Sequence, residues 1–190
     1  MPSDRRESVH TVSRIALQEY NAKMDNEPNP TNRQHATAFH EAGHAVMAIA
    51  LGRPVKKVTI APGKLQFGGT RLGLCEIQKG RFKPTDDWLE DEVVILLAGM
   101  VAESHFTGEY CPNGARQDLL GVGRLLGSRA ASDRQFEKLQ RRMLAKTEHI
   151  LAGEAFQKAI EWTAQELVQK TTISGRAVRH FYHQAMQQFT

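Results

Sequence analysis

The chain has 190 residues, 41% of them hydrophobic and 24% charged, which is an ordinary soluble composition and enough length to bury a core. A net charge of +4 spread along the chain does not point to nucleic acid, and two cysteines cannot build a disulfide framework, so both are expected as reduced thiols in a cytoplasmic protein. The longest uncharged apolar stretch, Val93 to Ala102, is about half of a membrane span, and no apolar run follows Met1-Pro2-Ser3-Asp4, so neither a span nor a secretory signal is expected.

Residues 1–30 read as an appendage. Val9, Val12, Ile15, Ala16 and Tyr20 fit a helix over about 8–23, and Asp25 to Pro30 breaks it, which makes 1–30 a helical arm with a linker and 31–190 the main domain. A second helix is predicted from Asn32 to Leu51, with Thr31 or Asn32 as its cap and Gly52-Arg53-Pro54 as its end. Val55 to Ile60, Leu65 to Thr70 and Leu72 to Gln78 read as short extended segments. A long helix follows from Thr85, its predicted cap, to Phe106, and Gly108 closes it. Helices are then expected over 115–130, 133–151, 154–170 and 175–188, with Ser132 and Ser174 as caps. The fold class is mainly α, with one small sheet.

His40-Glu41-Ala42-Gly43-His44 is the segment that carries chemistry. Residues four apart on a helix share a face, so His40 and His44 can grip one metal ion. Glu41 is turned about 100° from His40 and can reach a water without being a ligand. Two imidazoles and a carboxylate suit zinc and leave a fourth position for water, with Glu41 as the base that moves the proton. A third ligand is needed, and Glu103, His105, Glu109 and Asp118 are the candidates. Spacing does not choose between Glu103 and Asp118. Met47, Met100 and Met143 read as packing residues, and His35, His149, His180 and His183 as surface or structural.

Thr37 to Val46 resembles the zinc-site helix of the FtsH-type proteases. Pro54 to Gly63 resembles the strand after it, Ile95 to Glu103 the second long helix, Gly114 to Leu119 the segment that delivers an aspartate ligand, and Leu167 to Gly175 the start of the closing helices. The resemblance covers roughly 31–180 in order. It implies a helical zincin-type peptidase domain that binds one Zn2+ per chain through His40, His44 and Asp118, with Glu41 as the catalytic base and Glu103 as a supporting carboxylate. It also implies that an edge segment, Gln66 to Leu72, pairs with extended substrate, which marks Gln66, Phe67, Gly68, Gly69 and Thr70 as substrate-binding. Pro112-Asn113 stands where that family usually has two threonines, and Gln117 where it usually has asparagine. No phosphate-binding loop is present in the sequence, so the expectation is a metallopeptidase acting on peptides or unfolded proteins without its own ATPase. A homo-oligomer or a separate delivery partner is compatible with that expectation. The competing readings are a zinc-containing module that binds peptides or a partner without cutting, and a metal-free helical interaction domain.

Overall fold

The computed structural model describes residues 30–64, 70–78 and 87–189. By its contacts the chain divides into Met1–Asn32 and Arg33–Thr190, and apart from the first residues of α1 the description concerns the second unit. The expected helix over 8–23, and Gln66 to Gly69, lie outside the described residues.

Six helices and five short strands are described: α1 (Pro30–Ala50), β1 (Val55–Thr59), β2 (Gly63–Lys64), β3 (Thr70–Arg71), β4 (Leu74–Ile77), α2 (Trp88–Thr107), α3 (Arg116–Gly127), α4 (Asp133–Leu151), α5 (Glu154–Lys170), β5 (Thr172–Ser174) and α6 (Gly175–Phe189). The mainly α reading with a small sheet holds. Among the described residues, no helix is long and apolar enough to cross a membrane.

The central helix is α2. It is apolar nearly all round, which suits a helix with protein on every side. Val94, Ile95, Ala98, Val101 and Ala102 join a core with α1, α5, α6 and the sheet. Leu89, Val93, Leu97 and Met100 join a second core with Val122 and Leu126 of α3 and Met143 of α4. Met47, Met100 and Met143 are all buried, as packing residues should be. Close contact between α1 and α2 depends on Gly43, where a Cβ would come 2.6 Å from the Cβ of Ala102.

The helix ends explain themselves locally. Asp87, rather than the expected Thr85, caps α2 by accepting a hydrogen bond from the Glu90 N–H at 3.0 Å. Thr85 lies outside the described residues. Gly108 ends α2 in the left-handed region at φ 83°, where glycine carries no steric penalty. Ser132 caps α4 through the Gln135 N–H, and Ser174 accepts from the Ala177 N–H at the start of α6. Helix α1 starts at Pro30, two residues before the predicted start, and α3 ends at Gly127, three residues before the predicted end.

The main sheet has the order β4-β1-β5, with both pairings antiparallel. β1 shows two adjacent exposed lysines, Lys56 and Lys57, which break strand alternation. A register shift between Val55 and Lys57 absorbs the extra residue, as a β-bulge does. β5 is an element the sequence analysis lacks: three residues between α5 and α6 that pair with β1. The second pairing, β2 with β3, sets Lys64 opposite Thr70.

Candidate metal centre

α1 brings His40 and His44 onto one face by its own period, and both are buried. Their rings meet edge-on, with centroids 4.7 Å apart. α3 brings the third group. Asp118 sits in its first turn, where the helix dipole favours a carboxylate, and burial of Val122 and Leu126 seats that helix against α2. Asp118 Oδ2 lies 3.2 Å from His40 Nε2 and 3.5 Å from His44 Nε2. Among the described residues these three form a group able to hold a metal ion, with their ligand atoms all within 4.8 Å of one another. Glu103, His105 and Glu109 are outside that group.

Each imidazole is fixed from behind. His44 Nδ1 lies 2.8 Å from the Ile95 carbonyl oxygen. A carbonyl only accepts, so Nδ1 carries the proton and a neutral ring offers its Nε2 lone pair to the centre. His40 Nδ1 lies 2.8 Å from Glu103 Oε2, which orients that ring in the same sense.

Two imidazoles and a carboxylate are donor types that suit zinc, and two of their three separations suit a tetrahedral ion. Donors about 2.0–2.2 Å from such an ion stand roughly 3.3–3.5 Å apart along each edge. The observed nitrogen–oxygen separations of 3.2 and 3.5 Å match that spacing. With Nδ1 committed to Glu103, His40 Nε2 and Asp118 Oδ2 need a proton or a cation between them. The local field favours either. Burial pulls the His40 ring down, but Asp118 and Glu103 outweigh it and carry it up to about 10. Burial pushes Asp118 up, and the two histidines that face it more than offset this, holding it well below the usual carboxylate range.

Glu41 is buried beside this cluster without joining it. Burial raises its proton affinity, the two imidazoles lower it, and the net shift is upward. The Cys75 backbone N–H donates to its carboxylate, which ties Glu41 to strand β4. A Cβ at Gly73 would come 2.6 Å from Glu41 Cγ, so the chain ahead of β4 runs directly against the glutamate. Cys75 is outside the metal-holding group, and burial first, then the Glu41 charge, pushes its thiol up.

Of the expected substrate-binding residues, Gln66, Phe67, Gly68 and Gly69 are outside the described residues. Thr70 is exposed on β3 and pairs with Lys64. The described segment that touches the site is Gly73 to Cys75, which the sequence analysis did not assign to it. The Ile95 carbonyl and Gly99 are read there only as part of a long helix and not as part of the site. A main-chain acceptor and a missing side chain leave no residue-type signal.

Comparison with known proteins agrees with this centre. Residues 29–131 match the sequence profile of Peptidase family M41. The chain is 37% identical over 90 residues to the ATP-dependent zinc metalloprotease FtsH of Protochlamydia amoebophila, covering 46% of this chain and 9% of that protein. It is 35% identical over 117 residues to the protein of the same name from Methylococcus capsulatus, covering 54% and 18%. It is 41% identical over 86 residues to that of Acidimicrobium ferrooxidans, covering 44% and 12%. The chain thus spans less than a fifth of the length of these curated relatives. With its profile matched over more than half of the chain, including both histidines, Glu41 and Asp118, the protein belongs to Peptidase family M41.

Proposed function

We propose that this chain is a zinc metallopeptidase that hydrolyses peptide bonds in peptides or unfolded proteins. The observation that carries the reading is the convergence of His40 Nε2, His44 Nε2 and Asp118 Oδ2, with a buried Glu41 alongside. The names of the relatives supply zinc as the metal. Held by His40, His44 and Asp118, zinc would supply Lewis-acid polarisation of a carbonyl and a lowered pKa for water.

The chain's own residues do the rest. His40 and His44 present Nε2 because Glu103 and the Ile95 carbonyl hold the opposite nitrogens. Asp118 supplies the negative charge that a dication needs. Glu41 Oε takes a proton from the attacking water and returns it to the leaving nitrogen. Glu41 is buried beside the metal-holding group and anchored by the Cys75 N–H, which sets it within reach of a water there. β4 lies at the end of the three-stranded sheet, with β1 on one side and no strand on the other among the described residues. An extended chain can add to that edge by main-chain pairing, beside the glutamate that Cys75 anchors. Such pairing demands unfolded backbone and tolerates varied side chains. Gln66, Phe67, Gly68, Gly69 and Thr70 belong to this proposal as substrate-binding residues.

The test is metal analysis paired with digestion of casein, comparing wild type with Glu41→Gln. The reading expects one zinc per chain in both, and turnover in Glu41→Gln reduced by about 10²–10⁴-fold, the usual worth of a general base. Full metal content with no cleavage by wild type would instead identify a zinc-containing module that binds without cutting.

A further inference from the structure

We propose that Gly99 of α2 is a positioning residue for both imidazoles, because its missing side chain is the space that their metal-facing ends occupy. The inference rests on the metal reading above. A Cβ at position 99 would stand 2.8 Å from His40 Nε2 and 2.6 Å from His44 Cε1, and it would crowd His44 Nε2 as well. Non-bonded Cβ contacts below about 3 Å are far inside the attractive range of carbon packing.

The arrangement follows from two matched helical repeats. On α1 the rings stand four residues apart, at 40 and 44. Facing them on α2 are residues 95, 99 and 103, also four apart and therefore on one face. Ile95 offers a carbonyl to His44 Nδ1 and Glu103 a carboxylate to His40 Nδ1. Gly99 lies between these two acceptors. The Nδ1 ends are held by the turns on either side, and the Nε2 ends lie over the glycine. A methyl group there cannot be avoided by sliding the rings along α2, because both anchors resist. The rings must tilt, and tilting carries Nε2 away from Asp118 Oδ2.

This role differs from that of Gly43. A Cβ at Gly43 meets the backbone and Cβ atoms of Ala98 and Ala102, so that glycine serves the contact between two helices. At Gly99 the atoms met are side-chain ends. An alanine at 99 is also a better helix former than glycine. The substitution should therefore spare the fold and damage the centre.

The experiment compares wild type with Gly99→Ala, Gly43→Ala and Gly123→Ala, the last a helical position where a Cβ meets nothing within 4 Å. Zinc affinity is measured by competition with a chromophoric chelator, cobalt(II) geometry by visible absorption, and the fold by melting of metal-free protein. Wild type and Gly123→Ala are expected to bind one zinc with equal affinity. Gly99→Ala is expected to bind at least tenfold more weakly with an altered cobalt spectrum, while its metal-free melting temperature is unchanged or higher. Wild-type affinity and an unchanged spectrum in Gly99→Ala, beside a wild type that binds zinc, would overturn the role of Gly99 alone. A wild type that binds no zinc would overturn the metal reading and this inference with it. Should Gly99→Ala lose its fold, the same change in a His40→Ala/His44→Ala background decides. There it should cost no thermal stability, and a cost that persists without the rings would overturn the proposal.

Discussion

Glu103 Oε2 accepts from His40 Nδ1 at 2.8 Å, at the ring nitrogen opposite the one that faces Asp118. One imidazole thereby spans two carboxylates from two different helices. Glu103 is buried and holds its place through α2, so it can fix the direction of His40 without entering the metal group.

Glu103→Ala is therefore expected to weaken zinc binding by about 10–100-fold, the usual effect of removing the partner behind a ligating histidine. Glu103→Gln, which keeps an acceptor of similar shape, should lose less. Equilibrium competition for zinc measures both, and circular dichroism checks that the helices persist. Equal affinity in wild type and Glu103→Ala would show that the ring needs no such support.

Which parts of this centre could be read from residue types follows from where each part comes from. His40, Glu41 and His44 share one helix, so a 3.6-residue period is enough to place them together. Asp118 is 78 residues from His40, and its approach depends on α3 packing Val122 and Leu126 against α2. No local spacing encodes that packing, and the reading of Asp118 came from family resemblance. The expected elements were recovered where a side chain marks them, as at Ser132 and Gly108. β5 was not, because Thr172-Ile173-Ser174 is too short for alternation to show and exists through its pairing with β1. The same limit hides Gly73 beside Glu41, since a glycine does not announce what it makes room for.

The outer end of the α1–α2 contact is aromatic. Phe106 stacks on Phe39 with centroids 4.7 Å apart and planes 12° from parallel, and His35 lies 6.0 Å from the same ring. Phe39 immediately precedes His40, so this stack steadies the helix turn that enters the centre. Phe106→Ala should destabilise by about 1–2 kcal/mol, from a partly exposed ring and its stacking. Urea unfolding of the single variants and of Phe39→Ala/Phe106→Ala would give the coupling. An additive double variant would mean that the rings do not interact.

Thr171 closes α5 at φ 60°, a conformation that branched side chains rarely adopt. Its backbone is held there by use. The carbonyl accepts from the Ile60 N–H at 2.9 Å and from the Thr59 hydroxyl at 3.2 Å, which joins the α5–β5 corner to the end of β1. Thr171→Gly keeps those main-chain bonds and removes the crowding at Cβ. Relief of about 1–2 kcal/mol is partly offset by the entropy glycine loses on folding, about 0.5–1 kcal/mol. A net gain of roughly 0–1.5 kcal/mol should appear as a higher urea midpoint with an unchanged slope. A lower midpoint would show that the threonine side chain contributes more than its strain costs.

Asp87 links two regions through one carboxylate. Oδ1 accepts from the Glu90 N–H at the start of α2 and from Arg129 Nη2 at 2.7 Å, while Oδ2 takes the other guanidinium nitrogen. The Arg129 hydrogen bonds come first and the helix N–H second in holding Asp87 down at about 2. Because the folded value lies below the ordinary aspartate value near 4, the charge stabilises the fold above about pH 4. That contribution is lost as pH falls toward 2, when the folded state must also take up the proton. Asp87→Asn keeps a capping oxygen and loses the charge. Its urea midpoint should fall below that of wild type at pH 7, and the gap should narrow between pH 4 and pH 2. Added salt should narrow the gap at pH 7 as well, because the Arg129 pair is solvent-facing and screened. A gap that is constant across that pH range would show that Asp87 acts through its shape as a cap and not through its charge.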